Sequence, residues 1–478
     1  MSKIPPRTKM PVQPAAERIK NFSEVNLGFS PEEAVAEAKR CIQCKHRPCV
    51  TGCPVQIDIP DFVRLIAEER FAEALAKIKE KNSLPAICGR VCPQERQCEA
   101  MCTLGKRFEP VAIGALERFV ADWGRAQGVG EAVPMEKPAQ SLGKVATVGS
   151  GPASITCAAE LARLGYEVTI FEALHEPGGV LVYGIPEFRL PKAIVKEEID
   201  YVRSLGVEIR TNVIIGQTLT LQELFTHEGF DAVFLGAGAG TPYFLGIPGE
   251  NANGVFSSNE FLTRVNLMKA YKFPQVDTPV KIGKRVVVVG GGNTAMDAAR
   301  TARRLGAEVT VLYRRSREEM PARNEEIEHA VEEGVVLELL SYPKEILYDE
   351  NRWVTGLVCG RMELGPAGPD GRRQVIPIPD STFQLAADTV IVAIGQGPNP
   401  LLLRSTPGLD ADKRGYIVTK DRVWTNLPGV FAGGDLTGGA STVISAMGDG
   451  KAAAFAIHRY LQEKKAVKMP EGETTDAR

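Results

Sequence analysis

Two segments of this 478-residue chain repeat one another, and a repeat of this kind leaves few folds open. Gly149-Ser-Gly-Pro-Ala-Ser154 matches Gly290-Gly-Gly-Asn-Thr-Ala295 at an offset of 141 residues (290 − 149). The same offset lays Leu164-Gly-Tyr-Glu-Val-Thr-Ile-Phe-Glu172 on Leu305-Gly-Ala-Glu-Val-Thr-Val-Leu-Tyr313. In each copy a short apolar strand, Lys144–Val148 or Arg285–Val289, enters a glycine turn, a helix and a second strand. That order belongs to a parallel α/β sheet. Two Rossmann-like dinucleotide-binding units in tandem are therefore expected.

The two copies differ where a ribose would sit. Gly149 and Gly151 let a pyrophosphate approach the helix opened by Pro152 and Ala153. Glu172 stands 21 residues after Gly151, where a carboxylate accepts hydrogen bonds from ribose hydroxyls. Gly179 is counted with these residues. Ser154 replaces the usual third Gly or Ala, which bears on helix packing more than on binding. In the second copy Gly290, Gly292, Asn293, Thr294 and Ala295 form the cradle, and the ribose slot holds Tyr313 followed by Arg314 and Arg315. Guanidinium groups attract a 2′-phosphate that a carboxylate would repel, so this unit is expected to take NADP(H). The alternative is a solvated run in which Arg314, Arg315 and Arg317 pair with Glu318 and Glu319.

Near the end, Val430-Phe-Ala-Gly-Gly-Asp435 reads as a buried strand ending in an acid, followed by an alanine-rich helix to about Tyr460. This resembles the closing motif of two-dinucleotide flavoproteins. The resemblance implies FAD in the first unit, with Asp435 at its ribityl–phosphate region and Ser441, Thr442 and Val443 at the flavin's pyrimidine edge. A helix N-terminus there would stabilise negative charge on the reduced ring. The glycine turns Val233-Phe-Leu-Gly-Ala-Gly238 and Val390-Ile-Val-Ala-Ile-Gly395 look like crossovers, which inserts the NADP(H) domain in the FAD domain.

Eight of the ten cysteines lie between Cys41 and Cys102. They are spaced Cys41-x2-Cys44-x4-Cys49-x3-Cys53-Pro54, Cys88-x3-Cys92-Pro93 and Cys98-x3-Cys102. Thiolates this dense suit iron–sulfur clusters, and zinc less well. In two-cluster ferredoxins the Cys before Pro serves the opposite cluster, which leaves Cys41, Cys44 and Cys49 one ligand short. His46 is expected at the surface. Cys157 and Cys359 are isolated and expected in the core.

The start of the chain lacks an apolar h-region, so no secretory signal is expected, and the cysteines are expected to stay reduced in the cytoplasm. The net charge of −2 gives no reason to expect nucleic acid or a membrane surface. Residues 1 to 30 are expected to wrap as an arm or stay mobile. Ser30 and Pro31 look like a helix cap and first position. Phe62, Leu65, Ile66, Phe71, Leu75 and Ile78 recur at helical spacing. The expected plan is an all-α iron–sulfur domain at 1–125 and a linker at 126–143. The FAD domain then takes 144–250 and 388–478, and the NADP(H) domain 251–387. The acidic run Glu325-Glu326-x-Glu328 reads as a solvated helix face.

Over nearly its whole length the chain resembles the glutamate synthase small subunit family. The resemblance rests on residues 41–54, Ile87-Cys-Gly-Arg-Val-Cys-Pro93, Gly184-Ile-Pro-Glu-Phe-Arg-Leu-Pro191 and Val289-Gly-Gly-Gly-Asn-Thr-Ala-Met-Asp297. Within it, Arg18-Ile-Lys-Asn-Phe and Ile113-Gly-Ala-Leu-Glu-Arg-Phe look most like the large subunit of electron-bifurcating, NADH-dependent reduced ferredoxin:NADP oxidoreductases. The resemblance implies two [4Fe–4S] clusters. Cys102 would complete the set of Cys41, Cys44 and Cys49. Cys53, Cys92 and Cys98 would hold the second cluster with Glu117, leaving Cys88 spare.

The same resemblance implies hydride passing between NADP(H) and flavin N5, with no catalytic acid or base from the protein. Single electrons would then travel through the clusters to ferredoxin and to a smaller flavoprotein partner carrying FAD and [2Fe–2S]. The rival is a glutamate synthase small subunit serving a large amidotransferase subunit. A sulfide dehydrogenase subunit is a third reading. A thioredoxin-reductase-like enzyme is disfavoured, because neither nucleotide unit has a Cys-x-x-Cys pair.

Overall fold

The computed structural model describes residues 4–129, 141–368, 371–439 and 441–468. The N-terminal part is helical. Ser30 caps the helix Pro31–Ala38 in a full capping box with Glu33, an arrangement worth about 1 kcal/mol. The periodic apolar residues fall on two helices, Ile59–Ala67 and Phe71–Lys79, and face one core. The helix Ile113–Ala126 closes this domain, and residues 130–140 of the expected linker lie outside the described residues.

The first sheet runs Val430–Ala432, Ala232–Leu235, Lys144–Val148, Glu167–Phe171, Glu208–Arg210, all parallel. The second runs Val255–Ser257, Thr389–Val392, Arg285–Val289, Glu308–Tyr313, Val336–Leu339, again parallel. The internal repeat survives as identical register: Lys144 sits opposite Glu167, and Arg285 opposite Glu308. The last strand returns to the first sheet, so the second unit is an insertion in the first. Thr241–Pro242 and Gln396–Gly397 pair antiparallel where the chain crosses out and back.

Two details differ from the sequence reading, and a third, the N-terminal arm, follows one of its two alternatives. The expected boundary at 388 precedes Thr389–Val392, but that strand hydrogen-bonds into the second sheet, so the inserted domain extends through it. The N-terminal arm from residue 4 is held in place: Arg18 is 1% exposed and pairs with Glu333 at 2.8 Å and Glu332 at 2.7 Å on the inserted domain. Glu326 is not solvated. It is buried and bonded to Arg189 at 3.1 Å and to Arg300. A four-stranded antiparallel sheet of Ser341–Tyr348, Val354–Ala367, Arg373–Pro377 and Phe383–Ala386 was also unforeseen.

The helix Val443–Lys468 packs along Pro152–Arg163, and small residues set how closely. A Cβ on Gly450 would lie 2.1 Å from the Ala153 carbonyl oxygen. This contact brings the start of the C-terminal helix beside the first glycine turn.

Candidate functional site

The first glycine turn is built for close backbone approach. Gly149 has φ +89°, and a Cβ there would meet the Gly236 carbonyl at 2.8 Å. A Cβ on Gly179 (φ +56°) would lie 3.0 Å from the Gly151 Cα, whereas Gly151 itself faces open space. That space lies before the N-terminus of the helix Pro152–Arg163, where backbone amides favour a pyrophosphate. Glu172 is buried at the end of its strand. Its carboxylate accepts from the Ser150 and Leu174 amides at 2.9 and 2.8 Å, and from the Ser150 hydroxyl. The Ser150 hydroxyl in turn accepts from the Gly178 amide at 2.8 Å, which ties the Gly178-Gly179 loop to the turn.

Asp435 follows Gly434, whose Cβ position would lie 3.1 Å from the Ala153 side chain at the start of the helix Pro152–Arg163. Burial pushes its carboxyl up to about 6, against a 3.0 Å hydrogen bond from the Ser441 amide. The Thr442 hydroxyl accepts from the Ser445 amide at 3.2 Å and so caps the long helix beginning at Val443. Tyr183 lies near both acids: burial first, then Asp435 and Glu172, push its phenol up to about 12. Sequence reasoning missed Tyr183 and Ser150, which carry no motif of their own. A buried acid, a glycine turn with free space and two helix starts together fit a dinucleotide carrying a flavin.

The second turn repeats this plan. Gly290 has φ +143°, and a Cβ there would strike the Ala393 carbonyl at 2.2 Å. The Asn293 side-chain oxygen accepts from the Arg323 amide at 2.9 Å, and Thr294 and Ala295 open the helix Asn293–Arg304. Tyr313 packs its ring over Gly291 and donates its hydroxyl to the Glu319 carbonyl at 3.0 Å. Arg314 is exposed, and the Arg315 side chain donates to the Arg373 carbonyl at 3.1 Å. Among the described residues neither they nor Arg317 make a close ion pair, so the alternative pairing with Glu318 and Glu319 is not seen. Charged hydrogen bonds of this kind are worth about 1.5–3 kcal/mol each. Arg314→Ala with Arg315→Ala should therefore raise the KM for NADPH on the order of 10–100-fold and leave that for NADH nearly unchanged. Steady-state kinetics with both nucleotides checks this, and equal losses would refute the assignment.

The cysteines gather in two groups. Cys41, Cys44, Cys49 and Cys102 line one small cavity with Ile42, Ile59, Val63, Leu104, Val111 and Ile113. The Thr103 hydroxyl donates to the Cys44 sulfur at 3.4 Å. Burial, then the neighbouring thiols Cys41, Cys102 and Cys44, push Cys49 up to about 12. Four thiols around a cavity suit a cluster in which each sulfur meets a different iron.

The second group is Cys53, Cys92, Cys98 and Glu117, all buried. Burial raises Cys53 to about 11, with Glu117 and Cys92 adding to it. Burial, Glu99, Cys92, Glu117 and Cys53 raise Cys98. Cys88 adjoins this group: its thiol bonds to Cys92, and Glu117 is a further neighbour. It lies beside Cys92, with its sulfur 3.5 Å from the Met447 sulfur and 3.8 Å from the Asn82 carbonyl oxygen. Glu117 accepts from the Asn82 amide at 2.7 Å, and burial holds its carboxyl near 8. The donor chemistry thus fits two thiolate-rich clusters. His46 is exposed, and Cys157 and Cys359 are fully buried far from both groups in sequence.

The second group abuts the flavin side. Met447 and Gly448 of the C-terminal helix touch Cys88 and Pro54, and Gln97 donates to the Thr442 hydroxyl at 3.3 Å. The first group lies nearer the surface, with Cys41, Cys44 and Cys102 only partly buried.

Comparison with known proteins agrees with this layout. Residues 18–129 match the family described as dihydropyrimidine dehydrogenase domain II, 4Fe-4S cluster, and residues 143–450 match pyridine nucleotide-disulphide oxidoreductase. These matches define an iron–sulfur domain joined to a two-dinucleotide oxidoreductase. The chain is 36% identical to the small chain of NADPH glutamate synthase from Escherichia coli, over 95% of its own length and 97% of that chain. It is 40% identical to the NADPH-Fe(3+) oxidoreductase subunit beta of Geobacter sulfurreducens, over 95% and 69%. Among solved structures, Mycobacterium tuberculosis FprA in complex with NADPH shares the fold of its two-dinucleotide part, with a TM-score of 0.57 at 21% identity over 69% of this chain and 87% of that one. The chain belongs to the glutamate synthase small-chain family and is an NADP(H)-dependent FAD and iron–sulfur oxidoreductase. No helix among the described residues is long and apolar enough to cross a membrane.

Proposed function

We propose that this chain is the large subunit of an electron-bifurcating ferredoxin:NADP/NAD transhydrogenase. Its cofactors would be FAD, NADP(H) and two [4Fe–4S] clusters. One observation carries the electron route: Pro54, next to Cys53, and Cys88, beside Cys92, lie against the helix that closes the flavin motif, and the first group is nearer the surface. Bound FAD supplies the exchange between hydride and single electrons. The protein's part is placement. Gly149, Gly151, Glu172 and Asp435 hold one dinucleotide, and the second turn with Arg314 and Arg315 holds the other. Cys41, Cys44, Cys49 and Cys102 take the outer cluster, and Cys53, Cys92, Cys98 and Glu117 the inner one.

A second reading has a specific observation in its favour. The relatives matched over nearly their full length include small chains of glutamate synthase, at 94–97% of those chains. In that reading the outer cluster delivers electrons to a large amidotransferase subunit. Anaerobic co-purification with the native partner separates the two. A smaller flavoprotein with its own FAD and [2Fe–2S] cluster is the expected result, and a large amidotransferase subunit would overturn it.

A further inference from the structure

The loop between Cys92 and Cys98 reaches across to the inserted domain through one side chain. The Arg96 guanidinium donates to three successive carbonyls: Pro321 at 2.8 Å, Ala322 at 2.9 Å and Met320 at 3.2 Å. Arg323 answers from the other side. It donates to the Arg90 carbonyl at 3.0 Å and the Gln94 side-chain oxygen at 3.2 Å, with Glu95 3.6 Å away. A planar fork with five donors suits a row of carbonyls, and a lysine ammonium, a single point on a flexible stem, cannot span them in the same way.

The segment that Arg96 grips is a wall of the second glycine turn. The Ala322 amide donates to the Gly291 carbonyl at 3.2 Å, and the Arg323 amide to the Asn293 side chain at 2.9 Å. Tyr313 bonds to the Glu319 carbonyl at the same segment's start, and the Gly292 Cβ position faces Pro321 at 3.9 Å. Met320 and Ala322 are buried in the core of the inserted domain, so the segment is packed against the turn from within and held by Arg96 from without. Any shift in 320–322 therefore moves the cradle that must meet a pyrophosphate within tenths of an ångström.

We propose that Arg96 is a positioning residue for the NADP(H) site, through which the cysteine loop sets dinucleotide affinity. The proposal rests on the assignment of the second turn to NADP(H). By reciprocity, nucleotide binding must then bear on the loop that carries Cys92 and Cys98.

The test uses the full, anaerobically purified chain. Calorimetric titration with NADP+ should show binding about tenfold weaker in Arg96→Ala, the size of loss expected for one or two such hydrogen bonds. Iron and flavin contents should match wild type, and Arg96→Lys should recover only part of the loss. Unchanged NADP+ affinity in Arg96→Ala would overturn the proposal, whereas a wild-type chain that binds no NADP+ would overturn the nucleotide assignment itself. A readout on the wild-type protein guards against a variant that misfolds. Amide hydrogen exchange should slow on adding NADP+ both at 317–323 and at 92–98, and protection confined to the former would count against the brace.

Discussion

Replacing Cys98 by alanine is expected to strip iron from the inner cysteine group and halt delivery of single electrons, while NADPH still bleaches the flavin. Cys98 is buried with Cys53, Cys92 and Glu117, and the further thiol there, Cys88, is itself buried against Cys92. Loss of an outer-shell partner at a metal site costs about 10–100-fold, and loss of a ligand costs more. Turnover with a one-electron acceptor should therefore fall by more than about 100-fold. The flavin half-reaction should survive at saturating NADPH, because neither glycine turn carries a cysteine and the loop of Cys98 reaches the second turn only through Arg96. Stopped-flow reduction of the flavin, run beside steady-state turnover, separates the two steps.

The same experiment decides the fourth ligand. Glu117 bears on Cys53 and Cys98, while Cys88 bonds to Cys92 and faces Glu117, so the two compete for the fourth position, which we assign to Glu117. Glu117→Ala should thus lower the iron-to-flavin ratio as Cys98→Ala does. Cys88→Ala should leave it at the wild-type value. The reverse pattern would make Cys88 the ligand. A carboxylate at that corner is harder than a thiolate and alters the cluster's potential, which redox-monitored EPR of the Glu117 variants would reveal.

What could be read from the sequence followed from how locally each feature is encoded. The glycine turns, Glu172, Tyr313 and the cysteine spacings are short-range patterns, and the fold sets them where strand and turn chemistry demand. The capping box at Ser30 is local in the same sense. The boundary at 388 was misplaced because a fully buried strand such as Thr389–Val392 has no alternation to reveal which sheet it joins. Glu326 looked solvated because its partners Arg189 and Arg300 are far away in sequence or buried on another helix. The Arg96 brace is likewise invisible along the chain, since its three acceptors are backbone carbonyls more than 200 positions away. Short motifs predicted the cradles. The contacts that aim one cradle at another arise only after folding.

Those aiming contacts carry the second large expected effect. One terminal nitrogen of Arg189, in the stretch at 184–191, donates to both carboxylate oxygens of Asp297 at 2.7 Å. Both side chains are about 5–6% exposed. Glu326 bridges Arg189 to Arg300. Glu333 then gathers Arg300 at 2.8 Å, Arg304 at 2.6 Å and Arg18 at 2.8 Å. The Arg304 guanidinium lies 3.8 Å from the centre of the Phe188 ring. Removing one partner of a buried pair leaves an uncompensated charge and costs about 3–5 kcal/mol. Asp297→Ala should lose stability of that order, seen as a lower denaturation midpoint and faster proteolysis at 184–191. Asp297→Asn keeps the shape and one acceptor and should lose less. The hydride-transfer rate should fall with stability, since this network fixes the flavin-side stretch against the helix of the NADP(H) turn. Acid provides an independent check. Burial would raise Glu333, but hydrogen bonds from Arg304 and Arg300 outweigh it and hold its carboxyl near 2. A depressed carboxylate contributes stability that is present above its unfolded value, about 4.3, and lost as pH falls toward 2. Unfolding titrations of wild type and Glu333→Gln should therefore converge as pH falls from 5 toward 2, and a gap constant with pH would show that Glu333 is not held ionised by its arginines.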